Sequence, residues 1–120
     1  MSTIMVIDDS NSMRALIKQT LITAGHTVIE AIDGLDALEK LGAAKIDMFL
    51  CDVNMPRLDG LALVKRLRAL APSKFSPILM LTTEVDPEKK RVAKEAGATG
   101  WLVKPFQPDQ LLSTIQRVLS

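Results

Sequence analysis

What this chain has little of narrows it first. Among its 120 residues there is one cysteine, Cys51, so no internal disulfide can form. A single histidine, His26, excludes a metal site built from several imidazoles. No apolar run approaches the length of a membrane span. Met1 is not followed by a basic segment and a long apolar stretch, so no signal peptide is visible. Neither sign of charge dominates: 15 basic residues face 14 acidic ones, for a net charge of +1. Such a balance produces no field for nucleic acid or an anionic membrane. These absences predict a cytoplasmic protein with no nucleic-acid or membrane partner. The length fits one domain, residues 1–120, large enough for a hydrophobic core.

What is present alternates. Strand-like runs fall at Thr3–Ile7, Thr27–Glu30, Met48–Cys51, Ile78–Leu81 and Trp101–Val103. Helical patterns lie between and after them. The first runs from Asn11 to Ala24 with Met13, Leu16, Ile17 and Leu21 on one face, and Gly25 stops it. The second runs from Leu35 to Leu41. The third follows Asp59-Gly60 with Leu61, Val64, Leu67 and Leu70 at helical spacing, and Pro72 lies beyond its end. The fourth opens at Asp86-Pro87 and closes at Gly97, and the fifth starts near Pro108 and carries Leu111, Leu112, Ile115, Val118 and Leu119. Strands 1, 3 and 4 are almost wholly apolar, as in a parallel sheet covered on both faces, whereas strand 2 reads as an edge. Five βα units with right-handed crossovers predict a doubly wound α/β fold.

Four of these runs stop at residues suited to metal or phosphate: Asp8-Asp9, Asp52, Thr82 and Lys104. In a parallel sheet all five crowd the edge where open α/β sheets bind ligands. They meet there only if strands 1, 3 and 4 are neighbours, which predicts the order 2-1-3-4-5. Two carboxylates ~4 Å apart repel by roughly 4 kcal/mol near a protein surface, so the acidic cluster calls for a cation. Magnesium suits it, since it takes oxygen ligands and shares them with phosphate oxygens. Thr82 and Lys104 supply donors for a phosphoryl group beside that metal. Asp52 would attack phosphorus and form an acyl phosphate, with Asp8 and Asp9 holding the metal. Each residue also has a plainer reading. Asp8-Asp9-Ser10 can cap the first helix, Asp52 can form an Asx turn, Thr82 can be structural and Lys104 a solvated surface lysine. Their joint placement at four strand ends favours the site.

These residues, together with Met55-Pro56 and Asp59-Gly60 after Asp52 and Pro105-Phe106 after Lys104, resemble the receiver domain of two-component response regulators over the whole chain. The family is a known case of the flavodoxin-like 2-1-3-4-5 sheet, so the strand order above is not independent of the resemblance. The resemblance implies that Asp52 accepts a phosphoryl group from a sensor histidine kinase. Asp9 and Asp52 would bind Mg2+ directly, Asp8 chiefly through water, and Asn54 through its backbone carbonyl. Thr82 and Lys104 would bind phosphoryl oxygens, and the Lys104–Pro105 peptide would be cis. A switch would run from Thr82 to the aromatic of strand 5, here Trp101, where tyrosine is more familiar. The larger indole is either a partner-binding anchor or a half-buried core residue. The chain ends at Ser120, just past the fifth helix, so output is expected through protein–protein contact. Ser12-Met13-Arg14 and Met80-Leu81-Thr82-Thr83-Glu84 look most like the chemotaxis regulators, which implies a flagellar motor switch as target and a monomer.

Two other functions compete. A phosphorelay intermediate or phosphate sink would share every site residue and differ only in partners. A magnesium-dependent phosphatase with an aspartyl nucleophile would use Asp52 and Lys104, but Asn54 is no acid for a leaving group and no cap insertion encloses a substrate. On the leading reading the protein is not an enzyme beyond its own phosphorylation and dephosphorylation. Other conspicuous residues have structural readings: Cys51 buried and inert, His26 exposed, Lys89-Lys90-Arg91 a solvated helix face, and Met5, Met13, Met48 and Met80 in the core.

Overall fold

Strands and helices alternate along the whole chain. The computed structural model describes residues 2–119 apart from 44, 54, 56, 57, 71, 72, 84 and 85. Asn54, Pro56, Pro72 and Glu84 of the sequence reading therefore lie outside the described residues. The elements are β1 (Thr3–Ile7), α1 (Asn11–Thr23), β2 (Thr27–Ala31), α2 (Gly34–Lys40), a 3-10 turn (Leu41–Ala43), β3 (Met48–Asp52), α3 (Gly60–Ala69), β4 (Ile78–Thr82), α4 (Pro87–Ala96), β5 (Gly100–Val103) and α5 (Pro108–Leu119). The strands form one sheet in the order β2-β1-β3-β4-β5, with every pair parallel. Both the doubly wound fold and the strand order expected from the sequence are observed.

Alternation along each central strand divides the core in two. Met5, Ile7, Phe49, Cys51, Ile78 and Met80 face one side, against Ala37 of α2, Leu63, Val64 and Leu67 of α3 and Ala93 of α4. Ile4, Val6, Met48, Leu50, Leu79 and Leu81 face the other, against Ile17 and Leu21 of α1 and Leu111 and Ile115 of α5. Burial on both faces is why β1, β3 and β4 carry no polar alternation.

The helix starts are written in side chains. Ser10, Asp33, Asp59 and Asp86 each accept a hydrogen bond from a first-turn amide of α1, α2, α3 and α4 respectively. Gly97 closes α4 with φ of 119°, a conformation that side chains with a Cβ resist. Asp59→Ala removes the acceptor 2.9 Å from the Ala62 amide. It is expected to lower the unfolding free energy by about 1 kcal/mol in urea titrations.

Several details differ from the sequence reading. Leu16 and Leu70 are exposed rather than core-facing. Strict three-residue spacing drifts off a 3.6-residue helix, so α3 buries Val64 and Leu67 as expected and adds Leu63, while Leu70 turns outward. Met13 is only half-buried against the α1–α5 side of the core. His26 is half-buried rather than exposed, because its Nδ1 accepts a hydrogen bond from the Ser2 amide at 3.2 Å.

Candidate functional site

Strand register delivers the site. Ile7 pairs with Cys51, so the next residues, Asp8 and Asp52, stand side by side at one edge of the sheet. Asp52 pairs with Leu81 and Thr82 with Val103, which puts Thr82 and Lys104 at the same edge. The Lys104 amide donates to the Thr82 carbonyl at 2.7 Å and fastens the two strand ends together. The Lys104–Pro105 peptide is cis, as the resemblance implies.

The structure gathers Asp8, Asp9 and Asp52, with one carboxylate oxygen of each within 4.8 Å of the others. Asp8 is fully buried, Asp52 nearly so, and Asp9 is exposed. Thr82 is buried. Lys104 spans the two buried acids, with Nζ 3.1 Å from Asp8 Oδ2 and 3.4 Å from Asp52 Oδ1. From the sequence this lysine is expected to serve the phosphoryl group alone. In the structure it also partly offsets the acidic charge. A single ammonium leaves three carboxylates a net deficit of positive charge, and their hard oxygens fit a divalent ion such as magnesium. Asn54, the fourth expected ligand, lies outside the described residues.

The loop from β1 to α1 is tied down more closely than the sequence indicates. Ser10 itself is the cap of α1, while Asp8 Oδ1 accepts from the Ser10 amide at 2.9 Å. The buried Asp8 is thus an acceptor for an amide and an ammonium, not the helix cap. Arg14 donates to the Asp8 carbonyl at 2.7 Å. That contact crosses a loop and has no sequence spacing that could announce it. Behind the cluster, burial pushes the Cys51 thiol far up from its ordinary range, and the nearby Asp52 and Asp8 charges push it further. Cys51 is therefore a core residue and not a nucleophile.

Trp101 lies outside this cluster. It pairs with Met80, three residues before Lys104, and is half-buried against the core. Its ring forms part of a cavity of about 240 Å³ between α4 and β5, shared with Lys90, Lys94 and Thr99. Lys90 Nζ stands 6.0 Å from the ring centroid, while Lys89, Lys90 and Arg91 are all exposed, as expected of a solvated helix face. Arg91 pairs with Glu88 and Glu95 on the exposed side.

The family of response regulator receiver domains matches residues 4–116. This chain belongs to that family. The receiver is 42% identical to the chemotaxis protein CheY1 of Helicobacter pylori, over 97% of this chain and 95% of the relative. It is 39% identical to a CheY homologue of Campylobacter jejuni, over 97% of this chain and 91% of the relative. Among solved structures, the chemotaxis protein CheY4 of Vibrio cholerae is similar at 51% identity with a TM-score of 0.96, covering 99% of both chains. The receiver domain of a sensor histidine kinase from Pseudomonas aeruginosa is similar at 26% identity and a TM-score of 0.90, over 98% and 97% of the two chains. That domain was solved with a magnesium ion coordinated in its active-site cleft. These relatives make the present receiver one of the chemotaxis type. No helix among its described residues is long and apolar enough to cross a membrane.

Proposed function

We propose that the receiver accepts a phosphoryl group on Asp52 from the phosphohistidine of a sensor kinase, and that this controls its binding to another protein. The observation that carries the reading is the ammonium of Lys104 set between two buried carboxylates, with an exposed third beside them. An Asp52 carboxylate oxygen attacks phosphorus, the P–N bond breaks, and the departing imidazole takes a proton. Lys104 shifts part of its charge to the incoming phosphoryl oxygens, and Thr82 lies at the same edge to donate to them. Asp8, Asp9 and Asp52 would hold magnesium, which supplies charge neutralisation for the transferring group. Beyond this transfer and the hydrolysis of the acyl phosphate, we assign no enzymatic turnover.

The output surface on this reading is the α4–β5 side. Among the described residues, Trp101 Nε1 is a buried donor without an acceptor. Such a group costs about 1–3 kcal/mol, so an arrangement that pairs it gains stability. Inward movement of Thr82 on phosphorylation and a shift of Trp101 would then form a two-state switch. The names of the relatives support chemotaxis as the setting, and a flagellar motor switch is the target we propose within it. A chemotaxis setting is the ground on which we place this reading ahead of a phosphate sink, a relay or a phosphatase.

Incubation with a small acyl phosphate donor and magnesium is expected to produce an acid-stable, base-labile adduct of one phosphate per chain. Chelation of the metal with EDTA should reduce labelling to background. Labelling at an unchanged rate in EDTA would remove the metal from the reaction.

A further inference from the structure

Of the three clustered carboxylates, Asp9 is the exposed one, and among the described residues its side chain has no hydrogen bond or ion pair. Its aim therefore depends on the main chain beneath it. The peptide joining Asp8 to Asp9 is planar, so the direction of the Asp8 carbonyl sets where the Asp9 backbone begins. Arg14 Nη1 donates to that carbonyl at 2.7 Å. The same guanidinium donates through Nη2 to Asn11 Oδ1 at 2.7 Å and through Nε to Glu30 Oε1 at 3.2 Å. Its side chain is only 13% exposed. Glu30 is in turn held by Lys18 Nζ at 3.0 Å, on the edge strand β2. One rigid fork thus ties the site loop to α1 and to the sheet. The loop is also held by the Asp8 amide, which donates to the Ala31 carbonyl at 3.1 Å, and by the Asp8 carboxylate, which accepts from the Ser10 amide and from Lys104.

We propose that Arg14 is a positioning residue for cation binding, which holds the Asp8–Asp9 peptide so that the Asp9 carboxylate faces Asp8 and Asp52 despite their repulsion. The proposal rests on the reading that this cluster binds magnesium. It makes a prediction opposite in sign to simple electrostatics. Removing a positive charge near three acids should by Coulomb's law tighten binding of a divalent cation. Loss of a group that orients a ligand should weaken it, typically by about 10–100-fold.

Calorimetric titration of the whole chain with Mg2+ separates the two. Arg14→Gln is expected to weaken binding by about 10–100-fold. Arg14→Lys keeps the charge and loses the fork, and is expected to weaken it comparably. Metal-free hydrogen exchange at the Asp8 amide, which is bonded to the Ala31 carbonyl, should quicken in both. Urea titration shows whether each variant is folded; should the glutamine variant unfold, the lysine variant carries the test. Asp9→Asn tests the underlying reading. If wild type binds magnesium, Asp9→Asn binds weakly and both Arg14 variants bind as tightly as wild type or tighter, the positioning role is overturned and the metal site stands. If wild type does not bind magnesium, or Asp9→Asn binds it equally well, the metal reading fails and the role of Arg14 falls with it.

Discussion

Asp52→Asn is expected to abolish phosphorylation by a small phosphodonor while leaving the fold intact or more stable. Asparagine has nearly the shape of aspartate, and Asp52 sits at the end of β3 with its strand bonding through backbone groups, so the sheet is undisturbed. What disappears is the anionic oxygen that attacks phosphorus, and with it one of three carboxylates within 4.8 Å of one another. Two such charges ~4 Å apart cost roughly 4 kcal/mol near a protein surface, and Lys104 offsets only part of that cost. The variant should therefore unfold at equal or higher urea concentration than wild type in the absence of metal, yet take up no label. Label of wild-type stoichiometry would show that another side chain accepts the phosphoryl group. A folded protein that gains stability on losing its reactive group is what a strained functional site predicts.

Gly60→Ala is expected to damage both stability and phosphorylation. A Cβ at Gly60 would lie 2.5 Å from the Asp52 carbonyl oxygen, 2.8 Å from Val53 Cα and 3.0 Å from Met80 Cε. Two of the three are backbone atoms of the segment that carries the acceptor, so they cannot rotate away. The Gly60 amide also donates to the Val53 carbonyl at 2.9 Å, which pins the start of α3 against the end of β3. Overpacking of this kind costs about 1–3 kcal/mol, and contact with backbone places the change at the upper end. For a domain of this size that corresponds to a fall in Tm of roughly 5–15 °C. Phosphorylation should slow as well, because the relief of the clash moves Asp52 relative to Lys104. Gly42→Ala is the matched control. It has nothing within 4 Å of a built Cβ, and should change stability by less than ~0.5 kcal/mol. Equal melting temperatures for the two alanine variants would overturn the close approach at Gly60.

Much of this molecule is legible in one dimension. Runs such as Ile4–Ile7 and Ile78–Leu81, unbroken by polar residues, can be satisfied only by burial on both faces, which means central strands of a covered sheet. Once those strands are parallel, residues that terminate them share an edge, so Asp8, Asp9, Asp52, Thr82 and Lys104 belong together by geometry. Caps and closing glycines mark helix ends because they act within a few residues along the chain.

What the chain alone left open depends on contacts between distant residues. Lys104 is 96 positions from Asp8, and its place across two buried carboxylates follows from the β1–β3–β4–β5 register rather than from any local pattern. The bond from Arg14 to the Asp8 carbonyl needs the β1–α1 loop to turn back beside β2, and a backbone acceptor leaves no mark in the sequence. Trp101 could be written down as an anchor or as a core residue. Only the packing of α4 against β5 makes it half-buried, with its indole N–H shut away from water and its ring beneath Lys90. Periodicity is a property of the chain and can be read from it; the pairing of charges and donors is a property of the folded surface they meet on.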